Sequence, residues 1–136
     1  DEEAFTLGEN IATTEGSVVF QNDIMQLIQY KPATEKVAER PLLIIPPCIN
    51  KFYILDLQPH NSFVKYAVEQ GNTVFLVSWV NASTQQSNLS WDDYVGNGVF
   101  KALDLVSALM ERARNVMRGE SVDIVITEYY MEPEVI

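Results

Sequence analysis

Disulfide bridges, long apolar runs and excess positive charge are all missing from this sequence. Its single cysteine, Cys48, excludes an internal disulfide framework and fits a reducing compartment. No apolar run approaches the roughly 18 residues that a membrane-spanning helix requires, so no membrane span is predicted. The sequence has nine basic and 19 acidic side chains, and the resulting net charge of −10 argues against binding to nucleic acid or anionic lipid. The opening residues, DEEAFTLGEN, lack signal-peptide character, so we expect a cytoplasmic protein.

Motifs for metal and cofactor binding are also scarce. Asp56 with His60, or Asp92 with Asp93, would supply two ligands, whereas structural and catalytic zinc sites need three or four. The pair Asp92-Asp93 is better explained by a helix start, whose dipole favours negative charge. The sequence contains no glycine-rich phosphate loop. It therefore predicts neither a metal site nor a cofactor.

The chain does contain enough apolar side chains, 47% of its 136 residues, for one globular domain over residues 1–136. Ser17–Gln21 and Ile24–Tyr30 flank the turn signal Asn22-Asp23 and predict an antiparallel hairpin. Mainly apolar runs downstream predict buried parallel strands at Leu42–Ile45, Thr73–Trp79 and Val122–Thr127.

Two helices are predicted between these strands. Asn61 or Ser62 can cap a short helix that ends at Gly71. Ser90 can cap a long helix, although Gly96 and Gly98 weaken its first turns. Its predicted apolar face consists of Val95, Val99, Leu103, Val106, Met110, Ala113 and Met117. The alternation of strands and helices predicts an α/β fold, with an N-terminal antiparallel hairpin joined to a short parallel sheet with flanking helices.

The middle of the chain contains a long and specific sequence motif. The stretch ERPLLIIPPCINKFYILDLQPHNSFVKYAVEQGNTVFLVSW resembles the N-terminal part of polyhydroxyalkanoate synthases, in which PPCINKYYILDL is usual. The flanking segments GENIATTEGSVVFQNDIMQLIQYKP and NLSWDDYVGNGVFKALDLV resemble the same family. The similarity extends over residues 8–109, and residues 110–136 diverge from the family pattern. These synthases polymerise 3-hydroxyacyl-CoA thioesters into storage polyester.

The resemblance implies part of an α/β-hydrolase fold. Leu42–Ile45 would be its third core strand, Thr73–Trp79 the fourth and Val122–Thr127 the fifth. The loop Pro46–Lys51 would then lie where hydrolases place an oxyanion donor, with the backbone N–H groups of Cys48, Ile49 and Asn50 as candidates. A loop that merely ends a strand is an equally good interpretation.

The resemblance also implies a nucleophile that this sequence does not show. The family places a cysteine in a G-x-C-x-G elbow after the fifth strand, but no two glycines here are four residues apart. A triad of Cys48, His60 and Asp56 has the necessary residue types. It is disfavoured because Cys48 follows two prolines, with no helix N-terminus beside it to activate the thiol. No catalytic residue is predicted in this chain.

We therefore expect a fragment or truncated homologue of a polyhydroxyalkanoate synthase that is inactive by itself. One alternative is a noncatalytic partner, or a pseudoenzyme module that binds acyl chains. Another is a product of an altered reading frame with no selected role. Val122–Thr127 would leave an apolar strand edge open, which predicts self-association or pairing with a full-length synthase. The resemblance also allows association with polyester granules.

Overall fold

A computed structural model of the chain describes residues 4–118. Its main elements are β1 Gly16–Gln21, β2 Met25–Tyr30, β3 Leu42–Ile44, β4 Asp56–Gln58, β5 Asn61–Ser62, α1 Phe63–Glu69, β6 Val74–Trp79, α2 Trp91–Asp93 and α3 Lys101–Met117. Short 3-10 turns occupy Phe52–Leu55 and Thr84–Gln86, and a π-helical segment, Tyr94–Phe100, connects α2 to α3. The predicted strand Val122–Thr127 lies outside the described residues.

Four strands form one mixed sheet in the order β1-β2-β6-β3. β1 and β2 pair antiparallel, as do β2 and β6, whereas β3 runs parallel to β6. The predicted hairpin and the predicted parallel pair are therefore both confirmed. β4 and β5 form a separate two-stranded antiparallel sheet ahead of α1.

The turn of the hairpin is organised by Asn22. Its side-chain oxygen accepts hydrogen bonds from the N–H groups of Ile24 and Met25, at 3.0 and 2.9 Å. Its side-chain nitrogen donates to the carbonyl of Asn97 at 2.8 Å. Asn22 therefore closes the hairpin and also holds it against the π-helical segment.

The sheet is covered by helix on both faces. Side chains of β2 and β6 point alternately to the two sides, as the period of a strand requires. One face packs against α1 in a cluster that includes Ile28, Tyr30, Val64, Ala67, Val68, Val74 and Leu76. The other face packs against α3 in a cluster that includes Met25, Leu27, Phe75, Val77, Trp79, Ala102 and Val106. The result is a helix–sheet–helix arrangement with α/β content.

The prediction that Leu42–Ile45 is buried on both faces is wrong. Leu42, Leu43 and Ile44 are only half-buried, and Ile45 lies beyond the strand with 36% of its surface exposed. The reason is the position of β3, which has one hydrogen-bonded neighbour, β6, among residues 4–118. Its other edge is not covered by any strand in this part of the chain.

Both predicted helix starts are confirmed. The Ser62 hydroxyl accepts a hydrogen bond from the Lys65 N–H at 2.9 Å and so caps α1. At Ser90 the N–H donates to the Asp93 carboxylate at 2.8 Å, and the hydroxyl donates to it at 2.7 Å. The backbone hydrogen bond, followed by the hydroxyl one, lowers the pKa of Asp93 below its usual value.

The predicted apolar face of the long helix is only partly right. Val106 is buried as expected, but Leu103 and Met117 are 46% and 78% exposed. The buried positions at the start of the helix are instead Gly98 and Ala102. A π-helical turn contains an additional residue, so the segment Tyr94–Phe100 rotates the face away from the regular 3.6-residue period.

Candidate functional site

The loop after β3 is shaped by two prolines. The ladder between β3 and β6 ends with the pair Ile44 and Leu76, and Pro46 and Pro47 have no N–H with which to continue it. The chain then turns, and the N–H of Asn50 donates to the carbonyl of Pro47 at 3.0 Å. Of the three predicted backbone donors, Asn50 is therefore already engaged within its own loop.

The other two predicted donors are differently placed. Among residues 4–118, the N–H groups of Cys48 and Ile49 form no hydrogen bond to another backbone or side-chain group. Ile49 is 89% exposed, whereas Cys48 is half-buried. Within residues 4–118, these two adjacent backbone donors at the carboxyl end of β3 therefore have no partner.

An apolar groove of about 380 Å³ lies beside this loop. It is lined by Ile45, Pro46, Pro47, Cys48, Ile49, Trp79, Trp91, Tyr94, Val95 and Val99. The Tyr94 ring lies 5.4 Å from that of Trp79 and 6.4 Å from that of Trp91, centroid to centroid. Trp91 is 76% exposed, so a large aromatic surface remains open to a ligand. Such a groove suits an alkyl or acyl chain, which needs no polar partners.

The loop is attached to the sheet by Trp79, which the sequence analysis placed at the end of a predicted buried strand. Its indole N–H donates to the Pro46 carbonyl at 2.7 Å, and both groups are buried. A tryptophan at the end of a predicted buried strand signals such a bond, because a buried indole N–H usually finds an acceptor. The acceptor itself, 33 residues earlier in the chain, could not be identified without the fold.

Apart from this loop and groove, a polar cluster surrounds Asp56, a fully buried carboxylate near the α1 face of the sheet. Thr14 donates to it twice, from its N–H at 3.1 Å and from its hydroxyl at 2.7 Å. The Ser62 hydroxyl donates at 2.6 Å. Asp56 therefore connects the segment before β1 with the N-terminus of α1, and this cluster is structural.

Tyr30 lies close to this cluster. Its hydroxyl is buried and has no hydrogen-bond partner among the described residues. Burial, followed by the nearby negative charge of Asp56, raises the pKa of Tyr30 far above its usual value. The phenol is thus held neutral, which suits a core residue.

The structure does not assemble the triad of Cys48, His60 and Asp56. Cys48 packs against the cluster on the α3 face, and the Asp56 carboxylate is occupied by Thr14 and Ser62. His60 is exposed in the turn between β4 and β5.

Within residues 4–118, no three His, Cys, Asp or Glu side chains group as metal ligands. None of the helices described in this range has both the length and the apolar character that a membrane span requires.

Residues 1–67 match the family described as "Poly-beta-hydroxybutyrate polymerase (PhaC) N-terminus". The chain is also 56% identical, over 105 residues, to the poly(3-hydroxyalkanoate) polymerase subunit PhaC of Cupriavidus necator. That alignment covers 77% of this chain and 18% of the relative. The corresponding subunit of Rhizobium meliloti is 52% identical over 106 residues, which is 78% of this chain and 17% of that protein.

The similarity extends to a less similar relative. The PhaC subunit of Haloferax mediterranei is 36% identical over 97 residues, covering 71% of this chain and 20% of that protein. The resemblance noted in the sequence is thus confirmed. The chain spans about a fifth of the length of the curated relatives that it matches.

Proposed function

We propose that this chain, which belongs to the poly(3-hydroxyalkanoate) polymerase family and matches its N-terminal region, forms the first part of an α/β-hydrolase-like polymerase domain. The supporting features are the antiparallel hairpin followed by a parallel strand pair, and the helices on both faces of the sheet. Residues 1–136 are then one segment of a larger domain. This makes the chain a fragment or truncated homologue of a synthase.

In such a polymerase the 3-hydroxyacyl group passes from CoA to the growing polyester. Attack on the thioester places negative charge on its carbonyl oxygen, and backbone N–H groups can stabilise that charge by about 3 kcal/mol each. We assign this role to the loop after β3. The observation that carries the proposal is the pair of N–H groups at Cys48 and Ile49, which have no partner within residues 4–118 and lie beside an apolar groove that can hold the acyl chain.

The nucleophile, in this proposal, comes from outside the described residues. Cys48 has no histidine beside it, because His60 is exposed in a turn on another part of the molecule. A cysteine without a base or a positive neighbour is a weak nucleophile at neutral pH. The isolated chain should therefore release no CoA from 3-hydroxybutyryl-CoA.

A chimera tests the oxyanion role. The 105 residues of this chain that match the Cupriavidus necator polymerase would replace their counterpart in that enzyme. CoA release from 3-hydroxybutyryl-CoA is then followed with a thiol reagent. We expect an active chimera, and we expect Cys48→Pro or Ile49→Pro, each of which deletes one N–H, to lower kcat by about 100-fold.

Two conservative variants serve as controls for the proline substitutions. Cys48→Ala and Ile49→Val keep both N–H groups and should retain turnover within a few-fold of the chimera. Circular dichroism of each variant separates loss of the donor from loss of the fold. If both proline variants are folded and turn over as fast as their controls, the loop is not the oxyanion donor.

A second candidate function is binding of acyl chains without catalysis. The groove beside Cys48 favours it, because its lining is apolar and Trp91 leaves a wide surface exposed. A noncatalytic module of this kind could accompany a full-length synthase. A folded chimera without turnover would favour this candidate over the first.

Within residues 4–118, one edge of β3 has no strand beside it, and this supports a proposal about partners. The predicted edge strand Val122–Thr127 lies outside these residues. An unpaired strand edge is a template for another strand, from a second copy or from the rest of a polymerase. We expect the isolated chain to self-associate at tens of micromolar, and light scattering measures this directly. A monomer over that range would contradict it. Association with granules in the cytoplasm follows from the family assignment as part of the same proposal.

A further inference from the structure

The loop that carries the Cys48 and Ile49 donors has few attachments to the rest of the fold. The bond from Asn50 to Pro47 lies within the loop and cannot orient it relative to the sheet. The Lys51 amine contacts the Asn81 side-chain oxygen, but that contact is exposed. A buried hydrogen bond, from the Trp79 indole to the Pro46 carbonyl, attaches the loop to β6.

This hydrogen bond takes the place of the strand ladder. Backbone pairing between β3 and β6 ends at Ile44 and Leu76. Trp79, the last residue of β6, reaches across with its side chain and binds the carbonyl two residues beyond that pair. The contact between this segment and β6 thereby continues as far as Pro46, beyond the end of the backbone pairing.

The indole ring is itself held from behind by the π-helical segment Tyr94–Phe100. A Cβ atom on Gly98 would lie 2.5 and 2.6 Å from two carbons of the Trp79 ring, so the helix backbone approaches the ring as closely as a glycine permits. Tyr94 meets the same ring edge-on. Asn22 in turn binds the carbonyl of Asn97, which fixes this segment to the hairpin.

We propose that Trp79 is a positioning residue, which sets the orientation of the Cys48 and Ile49 N–H groups through its bond to Pro46. The hydrogen bond defines where the loop leaves the sheet, and the contact with Gly98 defines where the indole can point. The role of these N–H groups as oxyanion donors rests on the function proposed above. The ordering of the loop by Trp79 is independent of that function and can be measured on the isolated chain.

The first measurement compares the hydrogen-exchange rate of the Asn50 N–H in the unsubstituted chain and in Trp79→Phe. This N–H closes the turn of the loop, so its exchange rate reports how well the turn is ordered. Phenylalanine keeps an aromatic ring but removes the donor and leaves a buried carbonyl unpaired. We expect exchange at Asn50 to accelerate about tenfold, whereas the amides of Leu76 and Ile28 in the central strands keep their protection. Alkylation of Cys48, the only thiol in the chain, should accelerate as well.

The matched control is Trp91→Phe, which removes the indole of an exposed tryptophan. Exchange at Asn50 should then change less than twofold. If Trp79→Phe leaves the Asn50 exchange rate as it is in the unsubstituted chain, the positioning role is wrong. Should Trp79→Phe not fold, benzothienylalanine at position 79 keeps the size of the indole ring and lacks the N–H, and the same outcomes apply.

The chimeric polymerase separates this inference from the proposed function. In an active chimera, Trp79→Phe should lower kcat about tenfold with little change in KM, because the donors meet the thioester oxygen only when it becomes charged. If kcat is unchanged while exchange at Asn50 is accelerated, Trp79 orders the loop but this ordering does not contribute to catalysis. A chimera that is inactive before any substitution would contradict the proposed function and leave the exchange result standing.

Discussion

Replacing Asp56 with alanine should lower the free energy of unfolding by about 4 kcal/mol, measured by urea denaturation. The substitution removes the acceptor of three hydrogen bonds, which come from the N–H and hydroxyl of Thr14 and from the hydroxyl of Ser62. All three donors, which are part-buried, would then have lost their acceptor. Hydrogen bonds to a charged acceptor are also stronger than those between neutral groups.

Two further variants make this expectation specific. Asp56→Asn keeps an oxygen for the two hydroxyl groups but turns an N–H₂ toward the Thr14 N–H, so an intermediate loss is expected. Glu111→Ala removes an exposed carboxylate from α3 and should change stability by less than about 0.5 kcal/mol. If Asp56→Ala were as stable as Glu111→Ala, the buried cluster would contribute nothing to the fold.

Gly98→Ala is the second substitution with a large expected effect. Its Cβ would overlap the Trp79 ring at 2.5 Å, and that ring cannot simply turn away because it is buried and bound to Pro46. We expect a loss of about 3 kcal/mol in the free energy of unfolding, read as a lower urea midpoint. The same shift of the ring should loosen the loop that carries Cys48.

Gly96, two residues earlier, provides the control within the same π-helical segment. A Cβ there meets no atom within 4 Å, so Gly96→Ala adds only the better helix propensity of alanine. Its stability should stay the same or rise by up to about 1 kcal/mol. Equal destabilisation by the two alanines would show that the helix needs glycine flexibility, and would exclude the contact with Trp79 as the cause.

Local signals in the sequence predicted local structure well. Asn22-Asp23 marked the hairpin turn, and Ser62 and Ser90 marked the two helix starts, because Asn22, Ser62 and Ser90 each bind an N–H group three positions away. The buried face of the long helix was not predicted correctly, since a π-helical turn changes the period that such a prediction assumes. The exposure of β3 depends on its place in the sheet, which its apolar composition does not reveal.

The candidate site depended on information that is not local. The loop at Cys48, Ile49 and Asn50 was predicted from a family resemblance, and the structure adds that the Asn50 N–H is already engaged. The bond of Trp79 to Pro46 and the bonds of Thr14 to Asp56 join residues 33 and 42 positions apart. Such pairs follow from the topology of the sheet, and a single sequence contains no direct record of them.

The pairing of β2 with β6 has a consequence for how the chain folds. These adjacent strands are separated in sequence by residues 31–73, so the sheet cannot close until a long loop has been ordered. Asp56 lies within that loop, and its bonds to Thr14 hold the middle of it beside the start of the hairpin. With the hairpin formed, this contact divides residues 31–73 into two shorter loops, so we expect the carboxylate that stabilises the finished core to lower the entropy cost of closing the sheet as well.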